Sequence, residues 1–223
     1  MKIKALLAAG LLIAASVAPS FAQTVYSVNA VGFVNKTFQA NGFTLAANPL
    51  NASVNTVLAL FPGVPEGSLI FIFNPANGGF VINTFAFGAW SRPNDTIVPG
   101  QAFFFKNPSP TPYVNTFVGN VQQGTVGAPL NTTLNAGFSL VSSQVPQAGL
   151  LTTDLEFPTS EGDSVFKFNQ ATVAYDVYSF AFGAWSGPGG APTQPAIDVA
   201  EGFFCKKAVG TTWSRVFSVS VSQ

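Results

Sequence analysis

Any acid–base chemistry in this chain would rest on its carboxylates, because it contains no histidine. That absence removes the commonest general base and the commonest metal ligand together. A Ser-His-Asp or Cys-His nucleophile is excluded, and zinc would have to be held by Cys205 and carboxylates alone, which is not a usual ligand set. Two carboxylates facing each other across a groove suffice for glycoside hydrolysis, and the acids nearest one another are Asp154, Glu156, Glu161, Asp163 and Asp176. A calcium loop needs several converging oxygens, and Glu161-Gly162-Asp163-Ser164 is too short to supply them. Neither a P-loop nor a dinucleotide-binding glycine pattern occurs. The expectation is a noncatalytic protein with no metal and no cofactor.

Aromatic chemistry is better represented. The heptapeptide Phe-Ala-Phe-Gly-Ala-Trp-Ser stands at residues 85–91 and again at 180–186, a spacing of 95. Gly42-Phe43 matches Gly137-Phe138, Glu66-Gly67 matches Glu161-Gly162, and Phe71, Phe73 and Asn74 match Phe166, Phe168 and Asn169 at the same spacing. Further on, Phe103, Lys106, Tyr113 and Phe117 meet Phe203, Lys206, Trp213 and Phe217 at a spacing of 100, so the extra residues fall in the Gly/Pro segment 187–195. The chain is a tandem duplication. Glu66 and Glu161 are the only acids at matched positions, each in an acid-Gly turn where a solvated carboxylate is the ordinary occupant.

The elements that position these residues read as strands. Runs of four to eight β-branched and aromatic residues alternate with Gly, Pro and Asn clusters. One helical interruption is predicted at 53–61, where Val54, Val57, Leu58 and Phe61 share a face, Ser53 caps and Pro62-Gly63 stops it. A weaker counterpart lies at 150–157. The predicted fold is all-β: two tandem β-sandwich- or barrel-like repeats of about 95 residues, each with a short helix, arranged as a pseudo-twofold pair. The predicted boundaries are a signal peptide at 1–22, a first repeat at 23–121 and a second at 122–223.

Comparing the copies suggests sidedness. Ile72 becomes Lys167 while Phe71 and Phe73 stay Phe, and Val81 and Asn83 become Asp176 and Tyr178. Alternation then turns Phe71, Phe73, Phe80 and Ile82 inward and the substituted positions outward. Continued along the strand, that register turns Phe85, Phe87, Phe180 and Phe182 outward, with a bulge at Gly88 or Gly183 re-aiming Trp90 and Trp185. The alternative is that one copy packs on the other there.

The N-terminus carries Lys2 and Lys4, an apolar stretch over 5–18 and Ser20-Phe21-Ala22 before Gln23, the form of a secretory signal peptide. No transmembrane span is expected after cleavage. Charged residues make up 8% of the chain, acids and bases balance, and Phe numbers 23, so the chain is expected to fold, with an uncharged polar surface. Scattered Lys and Arg offer no electrostatic footprint for nucleic acid. Cys205 is the single cysteine, so no intramolecular disulfide forms; it stands where the first copy has Phe105 and reads as a buried small hydrophobe.

Gly42-Phe43-Thr44-Leu45-Ala46-Ala47-Asn48-Pro49-Leu50, with Gly137-Phe138-Ser139-Leu140, resembles the opening of an uncharacterised β module found in secreted and cell-surface proteins of environmental bacteria and archaea. Its closing Gly-x-Gly, aromatic and Lys signature is similar to Gly100-Gln101-Ala102-Phe103-Phe104-Phe105-Lys106 and Glu201-Gly202-Phe203-Phe204-Cys205-Lys206, with Ala102 departing from the pattern. The resemblance covers nearly the whole mature chain and implies the fold, with no site attached.

Two functional expectations follow. The first is a secreted, periplasmic or cell-surface structural or adhesive protein that self-associates through strand edges and the patch Phe85, Phe87, Trp90, Phe180, Phe182 and Trp185. The second is a carbohydrate-binding module in which Trp90 and Trp185 stack on a polysaccharide.

Overall fold

A computed structural model describes residues 30–219. The signal peptide read at 1–22 lies outside the described residues.

In the first repeat the elements are β1 (Val31–Phe38), β2 (Gly42–Ala47), the four-residue helix α1 (Val57–Leu60), β3 (Leu69–Asn74), β4 (Gly79–Ala86), β5 (Ala89–Trp90), β6 (Ala102–Asn107) and β7 (Tyr113–Asn120). The second contains β8 (Leu130–Leu134), β9 (Gly137–Val141), β10 (Gly149–Leu150), β11 (Ser164–Asn169), β12 (Ala174–Ala181), β13 (Ala184–Ser186), β14 (Ala196–Ile197), β15 (Phe203–Lys207) and β16 (Thr211–Arg215). The fold is all-β, as the strand-and-turn pattern predicts.

Each repeat builds one five-stranded sheet, and the strand orders correspond: β2-β6-β3-β4-β5 and β9-β15-β11-β12-β13. All ladders are antiparallel, and β1–β7 and β8–β16 form separate two-stranded layers. Both five-stranded sheets remain open, so the architecture is layered rather than barrel-like.

Three apolar clusters explain the layering. In the first repeat Phe38, Phe61, Phe103, Phe105 and Phe117 pack between the sheet, the β1–β7 layer and α1. In the second, Leu134, Phe157, Phe203, Cys205 and Trp213 do the same. The third joins the repeats, with Leu45, Ala47, Ala102 and Phe104 of one sheet against Leu140, Phe168 and Phe204 of the other. Along β6, Phe103 and Phe105 enter the first cluster and Phe104 the third, so the strand is apolar without interruption because it is covered on both faces.

Backbone contacts between the repeats are reciprocal. Ala46 bridges Glu201 and its equivalent Val141 bridges Gln101; Ala47 N donates to Ala200 O at 3.1 Å, and Ser142 N to Gly100 O at 2.8 Å.

The helix is shorter than 53–61, and Thr56 rather than Ser53 caps it by accepting from Ala59 N. At 150–157 the chain forms turns instead. Asp154 and Leu155 N–H groups both reach Leu150 O, Phe157 N reaches Leu151 O, and Glu156 adopts φ +55°, which breaks helical continuation.

The register also differs from the expected sidedness. Ile70 and Ile72 face the first repeat's own core, whereas Phe71 and Phe73 face the inter-repeat layer. On β4, Phe80 and Ile82 are the exposed residues and Asn83 is fully buried. Asn83 is satisfied there: Nδ2 donates to Arg92 O at 2.6 Å, and Oδ1 accepts from Arg92 N at 3.1 Å and Ser91 Oγ at 3.2 Å. Lys167, which replaces Ile72, pairs with Glu201 at 3.3 Å and donates to Ala196 O. A polar residue in one copy therefore marks local hydrogen bonding, not the solvent side.

Candidate interaction site at two hairpin tips

Ala86 pairs with Ala89, which leaves Phe87-Gly88 as a two-residue turn between β4 and β5. Phe87 has φ +55° and Gly88 +75°; in the second repeat Phe182 has +54° and Gly183 +73°. Positive φ at both central positions is the I′ class, whose twist suits an antiparallel hairpin and which Asn-Gly favours. Phenylalanine is a poor occupant, since a bulky side chain at positive φ crowds the following carbonyl.

Phe87 and Phe182 are also fully exposed, at 102% and 101%. No burial compensates their conformation. A carboxylate does: Glu66 accepts from Phe87 N and, at 3.3 Å, from Gly88 N. Glu161 accepts from Phe182 N and Gly183 N, each at 2.8 Å. The acid-Gly turn is held beneath the hairpin by Gly67 N to Phe85 O at 2.9 Å, matched by Gly162 N to Phe180 O at 3.0 Å. The two acids at matched positions are thus clamps on the two hairpin tips.

The other four residues of the expected patch lie elsewhere. Phe85 sits directly across from Trp90, and Phe180 from Trp185, so each pair shares the face that points into its own core. Ring centroids are 5.3 Å apart in both pairs, at 63° and 70°. Trp90 is 5% exposed and its indole N–H points to Phe61 O at 3.5 Å; Trp185 is 8% exposed and donates to Thr152 Oγ1 at 2.8 Å. A tight turn, not a bulge, sets the Trp direction. Both indoles are largely buried, and Trp185 borders a cleft of about 320 Å³ beside Phe180, Thr193 and Gln194.

Three of the acids weighed as catalytic, Asp154, Asp163 and Asp176, are engaged structurally. Asp154 accepts from Leu150 N at 2.8 Å, Asp176 from Asn169 Nδ2 at 3.2 Å, and Asp163 contacts Lys207 and accepts from Ser160 N at 2.7 Å. No group of three or more Cys, Asp or Glu residues able to hold a metal occurs among the described residues. Cys205 is buried, and burial pushes its thiol up to about 12.

Two clefts open where the inter-repeat layer ends. One, of about 510 Å³, is ringed by Phe73, Phe80, Phe138, Phe166, Tyr175 and Phe204. The other, of about 650 Å³, uses equivalent positions, including Phe43, Phe168 and Gln170. Gln170 stands where the first repeat has Pro75 and donates to Thr44 Oγ1 at 2.8 Å. The first cleft is ringed by aromatics, whereas its counterpart adds Gln39, Asn41 and Gln170 to a still largely apolar lining.

The clamp has a sequence signal that only the duplication exposes. Glu66 precedes Phe87 by the same 21 residues that separate Glu161 from Phe182. Nothing in either turn alone announces the contact, because Phe-Gly is not a recognised hairpin dipeptide. No helix among the described residues is long and apolar enough to cross a membrane. No protein-family model, curated protein or solved structure matches the chain.

Proposed function

We propose that the chain is an exported, noncatalytic structural or adhesive protein that makes its contacts through Phe87 and Phe182. The observation that carries this reading is the pairing of full exposure with positive φ at both rings, each held by a clamping carboxylate. An exposed ring in a costly backbone conformation contributes nothing to its own fold. Strain of this kind persists where a function uses it. An aromatic ring offers about 150–250 Å² of contact area to a partner, and aromatic anchors dominate interface energetics. Export rests on the leader at 1–22 and self-association on the low charge, which leaves little repulsion between copies.

The test is retention of the labelled mature chain on the envelope fraction of the cell that exports it, beside light scattering over a concentration series. Phe87→Ser with Phe182→Ser is expected to lower retention or self-association by at least about tenfold, since each ring is worth roughly 1.5–3 kcal/mol when buried. Retention and molecular mass both unchanged in the double variant would refute the assignment.

A further inference from the structure

Asp163 precedes β11 and Lys207 closes β15. Ser164 pairs with Lys206, so the two residues are the next neighbours across adjacent antiparallel strands. Both side chains are 1% exposed. Lys207 Nζ contacts Asp163 Oδ2, donates to Pro158 O at 2.6 Å and lies 5.3 Å from the centre of the Phe157 ring. The two carboxylate oxygens are treated unequally. Oδ2 also accepts from Ser160 N at 2.7 Å, whereas Oδ1 is buried with no partner.

The first repeat closes the same corner differently. Its equivalents are Ser68 and Asn107, both buried and both uncharged. The fold therefore does not depend on an ion pair at this position. Burying two charges is costly, and an orphaned carboxylate oxygen adds to that cost. A single cysteine also leaves an exported chain without a disulfide staple.

We propose that Lys207 and Asp163 condense to an isopeptide bond, an amide joining Nζ to Cγ. A proton passes from the Nζ ammonium to Oδ2, the oxygen it contacts, which leaves an amine facing a carboxylic acid. The Nζ lone pair attacks Cγ, the Nζ–Cγ bond forms, and the negative charge that develops falls on Oδ1. The Cγ–Oδ2 bond then breaks, and Oδ2, to which the Ser160 N–H donates, departs as water carrying the first proton and a second one from Nζ. The product amide keeps one N–H, aimed at Pro158 O, and Oδ1 as its carbonyl oxygen. Two opposite charges become none, and no oxidant or co-reactant is required. Contact between the reacting groups in a site closed to bulk water supplies the proximity that the uncatalysed condensation lacks. The bond staples β11 to β15, two inner strands of the second sheet.

Intact-mass spectrometry of the exported chain, denatured and reduced, tests the assignment. The mass is expected to fall short of the sequence mass by one water, and a digest is expected to yield a branched peptide joining the Asp163 and Lys207 segments. Asp163→Ser with Lys207→Asn installs the pair that the first repeat already accommodates, and this folded variant is expected at its full sequence mass. Lys207→Arg is also expected at full mass. A wild-type chain at full sequence mass would overturn the proposal. Water loss that survives Lys207→Arg would overturn it too, because it would then be a succinimide at an aspartate.

Discussion

Replacing the two exposed phenylalanines with asparagine is expected to make the protein more stable while removing its contacts. Phe87 and Phe182 sit at φ +55° and +54°, where a bulky residue costs about 1–2 kcal/mol relative to a right-handed conformation. Asparagine tolerates this region and is favoured at the first central position of an I′ turn. At 102% and 101% exposure, the rings forfeit no burial when they are removed. Relief is therefore about 1 kcal/mol per turn. The two turns belong to different repeats and use different clamps, Glu66 and Glu161, so their effects should add. A gain of about 2 kcal/mol corresponds to roughly 4–8 °C in the unfolding midpoint of a protein of this size. Thermal and guanidinium unfolding of wild type and Phe87→Asn/Phe182→Asn measure this directly, and envelope retention on the same samples should fall. Stability and binding moving in opposite directions is the signature of strain kept for function. A lower midpoint in the double variant would refute the reasoning, because it would mean that the rings contribute to the fold.

Two further outcomes follow from the cores. Burial pushes the Cys205 thiol from 9.0 and the Tyr113 hydroxyl from 10.0 up to about 12, so the folded chain keeps protons that the unfolded chain releases. Stability should be level below 9.0 and fall as pH rises toward about 12; Cys205→Ala should flatten the first part of that decline, and a guanidinium midpoint constant across the window in wild type would contradict it. A Cβ at Gly202 would meet Ala102 Cβ at 2.6 Å and Ala46 O at 2.8 Å, so Gly202→Val should push the repeats apart and cost about 1–3 kcal/mol. Gly127→Ala, which meets nothing within 4 Å, is the comparison, and equal midpoints for the two variants would sink the account.

The duplication, the all-β class and the burial of Cys205 were legible in the sequence because they rest on local pattern and on matched positions. The heptapeptide at 85–91 and 180–186 spans the two hairpin turns, where the alternation pointed only to a bulge at Gly88 or Gly183. Which of its rings face water was not legible. Alternation identifies two faces of a strand but cannot name the covering layer, and here both faces of β3 and β6 are covered, one by the repeat's own core and the other by the second repeat. Phe71 and Phe73 therefore stay apolar without belonging to their own core, and Asn83 is polar without being exposed.

Composition and periodicity determined that this chain is a tandem duplication of all-β class, that it lacks the imidazole chemistry of many enzymes, and that aromatic residues carry its distinctive motif. Tertiary structure decided that four of those six aromatics are core, that Phe87 and Phe182 project alone from clamped turns, and that Lys207 meets Asp163 across 44 residues of chain. The physical reason is range. Side-chain alternation and turn chemistry act over a few residues, whereas layer stacking and the meeting of Glu66 with Phe87 or of Asp163 with Lys207 depend on strand order, which no short segment encodes.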